Sequence, residues 1–261
     1  MSTHATHTIV ILTGASRGLG AALARVAAAD GVHLVTLARR SDAELAKAVT
    51  AAGGLHTGIA ADLADDAGMA LAAREVARVL GASQAERVLL INNAGSVEPV
   101  DVASKLTDTA AIGRALALNV TAVIGLTAAV LSALPDTAVD CRVLNISSGA
   151  GRGPTPGWTV YCATKAAVDI ATRVLNAEQR AASSGDDRIK AVALAPGVID
   201  TDMQATIRGQ AAERFPALDR FQALHDDGRP TAPTAFAQRI YAYLNRDDFG
   251  TTEIDDIRNY D

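Results

Sequence analysis

The chain has 261 residues, 49% of them hydrophobic, and a formal charge of −5 from 24 basic and 29 acidic side chains. High hydrophobicity with little net charge excludes a disordered chain, and the length suits one α/β domain with a sizeable core. No basic stripe runs along the sequence, which argues against nucleic acid as a partner. Four Phe, four Tyr and one Trp are the only aromatic residues, while alanine makes up roughly a fifth of the chain. Small aliphatic side chains of this kind suit thin helices laid closely on a sheet.

Two cysteines, Cys141 and Cys162, are too few for a disulfide scaffold and point to a reducing, cytoplasmic setting. The start, MSTHATHT, has neither the charged region nor the apolar run of a signal peptide, so residues 1–7 read as a flexible tail.

Residues 8–12 (T-I-V-I-L) form a continuous apolar run rich in β-branched side chains, the pattern of a central parallel strand. A glycine-rich turn leads to a helix over 21–29, a strand over 32–38 and a helix over 42–52 that Gly53-Gly54 ends. A strand over 56–61, a helix over 66–80 and a strand over 87–91 follow. Residues 115–134 carry no charge and resemble a membrane span in length. Their alanines and the polar Asn119, Thr121, Thr127 and Ser132 favour a buried or interface helix, with no membrane as partner. A strand over 142–146, a long helix over 161–182 and a strand over 189–195 continue the alternation. Residues 203–230 are polar and read as irregular, with Pro216, Gly228 and Pro230. A helix over 233–245 and a short strand over 252–257 close the chain. This alternation predicts an α/β, single-domain Rossmann fold: a doubly wound, mostly parallel sheet with helices on both faces.

Residues 13–20 (T-G-A-S-R-G-L-G) join the first strand to the first helix, where such folds seat a pyrophosphate. Gly14, Gly18 and Gly20 permit tight turns and close backbone approach, and the helix N-terminus offers free N–H groups to phosphate oxygens. Residues 14–18 also spell G-x-S-x-G, the pattern of a hydrolase nucleophile elbow, but the one histidine late in the chain, His225, lies in a polar stretch. At the end of the second strand, where an acid would bind a ribose 2′-hydroxyl, stand Arg39 and Arg40, with no acid before Asp42. With Arg17 in the loop, that charge pattern favours NADPH/NADP+ as cofactor.

Asn92-Asn93-Ala94-Gly95 follows the fourth strand, 145–148 (N-I-S-S) ends the fifth, and 161–165 (Y-C-A-T-K) opens the long helix. Tyr161 and Lys165 are four apart and share one helix face. An ammonium beside a phenol favours the phenolate and is expected to pull the tyrosine pKa below its free value of about 10. A phenol tuned in this way serves as acid or base near neutrality.

Taken in order, these motifs resemble the short-chain dehydrogenase/reductase family over nearly the whole chain. Residues 13–20 are similar to its T-G-x-x-x-G-x-G loop, 92–95 to its N-N-A-G turn, 161–165 to its Y-x-x-x-K pair and 196–201 (P-G-V-I-D-T) to its P-G-x-x-x-T segment. Ser148, thirteen residues before Tyr161, stands where the family has its catalytic serine, and Asn119 where it has the fourth member of its tetrad. The resemblance implies that Tyr161 protonates a carbonyl oxygen while Ser148 hydrogen-bonds it. It implies further that Lys165 lowers the tyrosine pKa and binds the nicotinamide ribose, and that Asn119 holds a water linking the lysine to solvent. Cofactor contacts are implied at Ser16 and Leu19 in the loop, at Asp62 and Leu63 beside the adenine, and at Asn93, Ala94 and Gly95. Pro196, Gly197, Ile199 and Thr201 are implied to flank the nicotinamide. No metal enters this scheme.

Within the family the chain is most similar to the sepiapterin reductases and the bacterial benzil reductases. The residues that carry this are Gly157-Trp158, 161–163 (Y-C-A), 200–204 (D-T-D-M-Q) and the C-terminal 247–261. The similarity implies NADPH-dependent reduction of a small-molecule ketone, either a vicinal diketone or a pterin side-chain ketone. Trp158 and Met203 would touch it, with an acidic anchor that spacing from Phe249 assigns to Asp256, though Asp255 is adjacent. Residues 203–230 would form much of the substrate lid. A 3-ketoacyl thioester or a hydroxysteroid is the alternative substrate, and a carrier-protein substrate would want a basic patch at the site mouth, which the sequence does not show. A dinucleotide-sensing binding protein would have lost part of the Ser148/Tyr161/Lys165 set. The apolar 115–134 helix and the long helix from Tyr161 suggest a homodimer or homotetramer.

Overall fold

In the computed structural model, residues 7–40, 42–135, 139–182, 188–226 and 232–260 are described. Strand β1 (Thr8–Thr13) has its last five residues buried and lies inside a seven-stranded sheet. To one side of it run β2 (Val32–Ala38) and β3 (Leu55–Ala60). To the other run β4 (Arg87–Asn92), β5 (Asp140–Ile146), β6 (Ile189–Ala195) and the three-residue β7 (Ile254–Asp256). The order is β3-β2-β1-β4-β5-β6-β7 and every pairing is parallel. The chain therefore reverses direction across the sheet between β1 and β4, which opens a crevice at the carboxyl ends of those strands.

Alternation along the strands divides the core. Val10, Leu12, Leu89 and Leu144 face α1 (Gly18–Val26), α2 (Ala43–Ala51) and α9 (Pro233–Leu244), meeting Leu23, Val49 and Ile240. Ile9, Ile11, Leu90 and Val143 face the other layer, where α3 (Asp66–Gly81) brings Val76 and Leu80. The expected doubly wound sheet is the observed one. All nine aromatic residues follow Gly157, in two groups. Trp158, Tyr161, Phe215 and Phe221 stand beside the crevice, and Phe236, Tyr241, Tyr243, Phe249 and Tyr260 secure the end of the chain.

Four expectations need correction. Pairing already begins at His7, which donates its N–H to Gly31 O (3.0 Å) and accepts at its carbonyl from Glu86 N (3.0 Å); residues 1–6 lie outside the described residues. The first helix starts at Gly18 rather than 21, because the loop's last glycines form its first turn against the loop itself. The uncharged helix starts earlier as well. It opens as α4 (Thr109–Leu116), capped by Asp108 Oδ1 accepting from Ala111 N (2.9 Å), widens into one π turn over Ala117–Thr121 and continues as α5 (Ala122–Ser132). From Thr109 to Ser132 it is long and apolar enough to cross a membrane, yet Ala115, Ala122, Leu126 and Val130 are buried, against α3 and α6 (Thr159–Ala182). Finally, the segment read as irregular forms α7 (Asp202–Arg208) and α8 (Leu218–Asp226). Phe215, Leu218 and Phe221, spaced three apart, bury their side chains beside Trp158 and so give these helices an apolar footing.

Candidate active site

The strand ends open into one cleft of about 1140 Å³. At one end Gly14, Ser16, Arg17, Gly18, Leu19 and Gly20 form its floor. Gly14 (φ +71°) and Gly18 (φ +55°) adopt the left-handed backbone that favours glycine. Helix α1 begins beneath them with no side-chain cap and no acid in its first turn, so its leading N–H groups are left for an anion. Asn93 braces this floor: its N–H and that of Ala94 donate to Thr13 Oγ1 (2.9 Å each), and its Nδ2 donates to Thr13 O (3.0 Å) and Gly14 O (3.3 Å).

Of the three cations expected to mark a 2′-phosphate site, the cleft keeps one free. Arg39 lines it, exposed and with no acidic partner among the described residues. Arg17 lines it too but is turned to Asp202 (3.3 Å). Arg40 is exposed and does not line the cleft. Asp62 accepts from Ala64 N (3.0 Å) and lines the cleft together with Leu63, Ala94 and Gly95. Pro196, Gly197, Ile199, Thr201 and Met203 line it as well, with Thr201 against Gly18 of the floor. Ser16 belongs to the glycine floor, and the His225 side chain lies outside what is described.

Deeper in, α6 brings Tyr161 and Lys165 to the end of β5. The Tyr161 hydroxyl stands beside the side chain of Ser148, whose Oγ accepts from Ala150 N (3.2 Å). Lys165 Nζ donates to Ile146 O (2.7 Å) and lies 5.7 Å from the centre of the Tyr161 ring. Burial pushes the Tyr161 phenol up to about 12, with the neighbouring Ser148 hydroxyl opposing it. Burial likewise pulls Lys165 down to about 8, with Asp169 opposing. The expected lowering of the tyrosine is therefore overturned: the ammonium is itself desolvated and aimed at a carbonyl, so burial decides the phenol's direction.

Asn119 is 1% exposed and stands behind the cleft wall. In the π turn its Nδ2 donates to Ser96 O (2.8 Å) and Thr164 Oγ1 (3.1 Å), and its Oδ1 accepts from Ser96 N (2.9 Å). Both amide hydrogens are taken, which leaves one Oδ1 lone pair for a water. Gly95 lies between it and the lysine, since a Cβ there would stand 3.3 Å from Asn119 Oδ1 and 3.9 Å from Lys165 Nζ.

Beyond Tyr161 the cleft turns apolar. Trp158 meets the tyrosine ring edge-on (5.2 Å between centres), stacks on Phe215 (5.0 Å) and tilts against Phe221 (4.9 Å). Val97, Val100, Met203 and Ile207 join them. The two candidate acids separate clearly. Asp255 is 3% exposed and accepts from the hydroxyls of Tyr243 (2.9 Å) and Tyr260 (2.6 Å), whereas Asp256 lines the cleft. Arg258 grips Asp256 through Nε (2.8 Å) and Nη2 (2.5 Å) and holds its carboxyl below the usual range.

Several lining residues had not been singled out. Phe221, and the wholly buried Phe215 behind it, were announced only by their spacing of three with Leu218. Arg114, Arg152, Arg214, Arg220 and Arg258 come from separate segments, so the sequence hid them as a group. Arg152 faces Asp169, Arg214 faces Asp101 (3.0 Å) and Arg258 faces Asp256; among the described residues Arg114 and Arg220 have no acidic partner.

A doubly wound parallel sheet with a glycine floor, an uncapped helix and a Ser–Tyr–Lys group at its crevice defines a dinucleotide-dependent oxidoreductase. The chain belongs to the short-chain dehydrogenase/reductase family: the short chain dehydrogenase family profile matches residues 8–212. It is 35% identical over 245 residues to a benzil reductase ((S)-benzoin forming) of Bacillus cereus, spanning 94% of this chain and 97% of that one. It is 36% identical over 252 residues to the sepiapterin reductase of Meriones unguiculatus, spanning 92% of each. Among solved structures, the KRED1-Pglu enzyme matches with a TM-score of 0.77 at 27% identity over 94% of this chain and 99% of that one. A short-chain dehydrogenase/reductase from Burkholderia vietnamiensis matches with a TM-score of 0.63 at 31% identity over 98% and 100%. The family binds a nicotinamide dinucleotide, and the floor suits one: a Cβ on Gly14 would lie 2.9 Å from Ala94 Cα, so only bare backbone fits beneath the phosphates.

Proposed function

We propose that the protein is an NADPH-dependent carbonyl reductase that reduces a flat ketone, a vicinal diketone or a pterin side-chain ketone. The observation that carries this is the placement of the Tyr161 phenol beside Ser148, at the foot of an aromatic wall and in one cleft with the free Arg39. A reduced nicotinamide bound on the glycine floor supplies the hydride. Tyr161 gives its proton to the carbonyl oxygen, and Ser148 hydrogen-bonds that oxygen as negative charge grows there. Lys165, a cation below about 8, adds positive charge near the phenol from its seat on Ile146 O.

The wall of Trp158, Phe221 and Met203 excludes water and suits a flat apolar substrate. A diketone is the better fit, because the Asp256 carboxylate already carries the Arg258 fork and is not a free acceptor for a pterin's donors. The pterin reading draws on the place of Asp256 in the cleft. NADPH oxidation across benzil, sepiapterin, a 3-ketoacyl thioester and a steroid tests this. Benzil is expected to give the highest kcat/KM, and a thioester or steroid outrunning both ketones would overturn the proposal.

For the cofactor, Arg39→Ala should weaken NADPH roughly ten- to hundredfold, the loss of a charge-assisted contact, while NADH changes little. Equal losses for the two cofactors, measured by fluorescence titration, would remove Arg39 from the phosphate site.

The same proposal includes self-association. Leu116 and Ile124 on the α4–α5 helix and Ile170 and Val174 on neighbouring α6 are large apolar side chains left exposed. A second copy of the chain would cover them. Light scattering is expected to give at least twice the mass of one chain, and a single-chain mass would refute it.

A further inference from the structure

Three successive turns of α6 reach the end of β5. Tyr161 stands beside Ser148, Lys165 Nζ donates to Ile146 O (2.7 Å), and Asp169 Oδ1 accepts from Ser147 Oγ. The helix residues are four apart, one above the other, and they engage three consecutive residues of the strand end. Asp169 is the member that the proposed reaction leaves without a part. Its side chain is 12% exposed, and a carboxylate so far from water is costly unless it is paired. Here Ser147 holds one oxygen and Arg152 Nε stands 3.4 Å from the other. Arg152 in turn donates to Asp255 O (2.7 Å) and Ala193 O (3.3 Å), which joins this corner to β7 and β6.

We propose that Asp169 is a positioning residue of the reduction: it seats the strand end that presents Ser148, ties it through Arg152 to the wall that carries Asp256, and stands as the counter-charge to the Lys165 ammonium. This rests on the reductase reading for the parts Ser148 and Lys165 play. The charged groups around Asp169 are few. The turn after β5 contributes Arg152, and its own helix contributes Lys165. From β6 comes only the Ala193 carbonyl, which reaches it through Arg152. On β7 the Asp255 carboxylate is taken by Tyr243 and Tyr260, and Asp256 by Arg258. The π turn adds neutral Asn119 on the far side of the lysine. Burial draws Lys165 down and Asp169 opposes it, in the sense the geometry requires.

The test follows the Lys165 titration directly, by carbon NMR of its ε-methylene in the full chain without cofactor, with the signal assigned through Lys165→Arg. Asp169→Asn keeps the shape and removes the charge. The lysine midpoint should fall by about one unit, the alkaline limb of kcat should move with it, and Asp169→Glu should bring both back towards wild type. An unmoved midpoint in folded Asp169→Asn protein overturns the proposal. Should that variant not fold, Arg152→Gln tests the same charge from the other side: with its competing cation gone, Asp169 should raise the midpoint, and a fall or no change overturns the proposal. Failure of the reductase reading would show separately, as wild-type protein that leaves NADPH unoxidised in the presence of every carbonyl of the panel while the midpoints still shift.

Discussion

Tyr161→Phe is expected to lower kcat on the order of a thousandfold while cofactor affinity and Tm stay close to wild type. Phenylalanine fills the same space, so the edge-on contact with Trp158 and the cover over Lys165 survive. What is lost is one hydroxyl, whose partner Ser148 still holds Ala150 N. Because burial keeps the phenol near 12, it holds its proton at neutral pH and suits the acid's part in reduction. The sign for pH follows. Below about 8 Lys165 is a cation and Tyr161 a neutral phenol; raising the pH through 8 discharges the lysine first, since the tyrosine keeps its proton until about 12. The wild-type reduction rate should therefore begin to fall near pH 8 rather than near 10. Steady-state kinetics and a fluorescence titration of NADPH decide the matter, and a Tyr161→Phe enzyme that retains more than about a tenth of wild-type kcat would remove the tyrosine from the acid's role.

What was legible in the sequence was whatever local chemistry alone dictates. β1 reads as a strand because both faces are buried and no polar residue interrupts it. The glycine loop reads as an anion floor because three glycines between a strand and a helix have few other uses. Tertiary partners were not legible. Phe215, Leu218 and Phe221 have helical spacing, but among charged neighbours that pattern gains weight only when Trp158 is known to be their partner. Arg17 looked like a free cation because Asp202, its partner, lies 185 residues away. The Tyr161–Lys165 spacing places an ammonium near a phenol, but the direction of the phenol's shift depends on how much water reaches it, which spacing does not encode. Asp169 repeats the four-residue step of Tyr161 and Lys165, a signal present in the sequence that gains meaning only beside Ser147.

Gly20→Ala is the second change from which a large effect is expected. A methyl group there would stand 2.0 Å from Gly14 O, 2.6 Å from Asn93 Nδ2 and 2.8 Å from Gly14 C. Two of these atoms are loop backbone and the third is the amide that braces the loop, so no side-chain rotation relieves the clash and the loop must open. Overpacking of this kind costs about 1–3 kcal/mol, or roughly 2–4 °C of Tm for each kcal/mol in a domain of this size. The cofactor should feel it more. Opening the loop turns away the N–H groups of the floor and of α1 together, so affinity should fall on the order of a hundredfold, the loss of two or more charge-assisted contacts. Gly113→Ala on α4 gives the contrast. Nothing lies within 4 Å of its added Cβ, and a helix gains about 0.5–1 kcal/mol from alanine at such a position. Thermal melts and NADPH titrations of the two variants should diverge in both quantities. If Gly20→Ala binds NADPH as tightly as wild type, the loop does not hold the phosphates, and the floor would have to be sought elsewhere in the cleft.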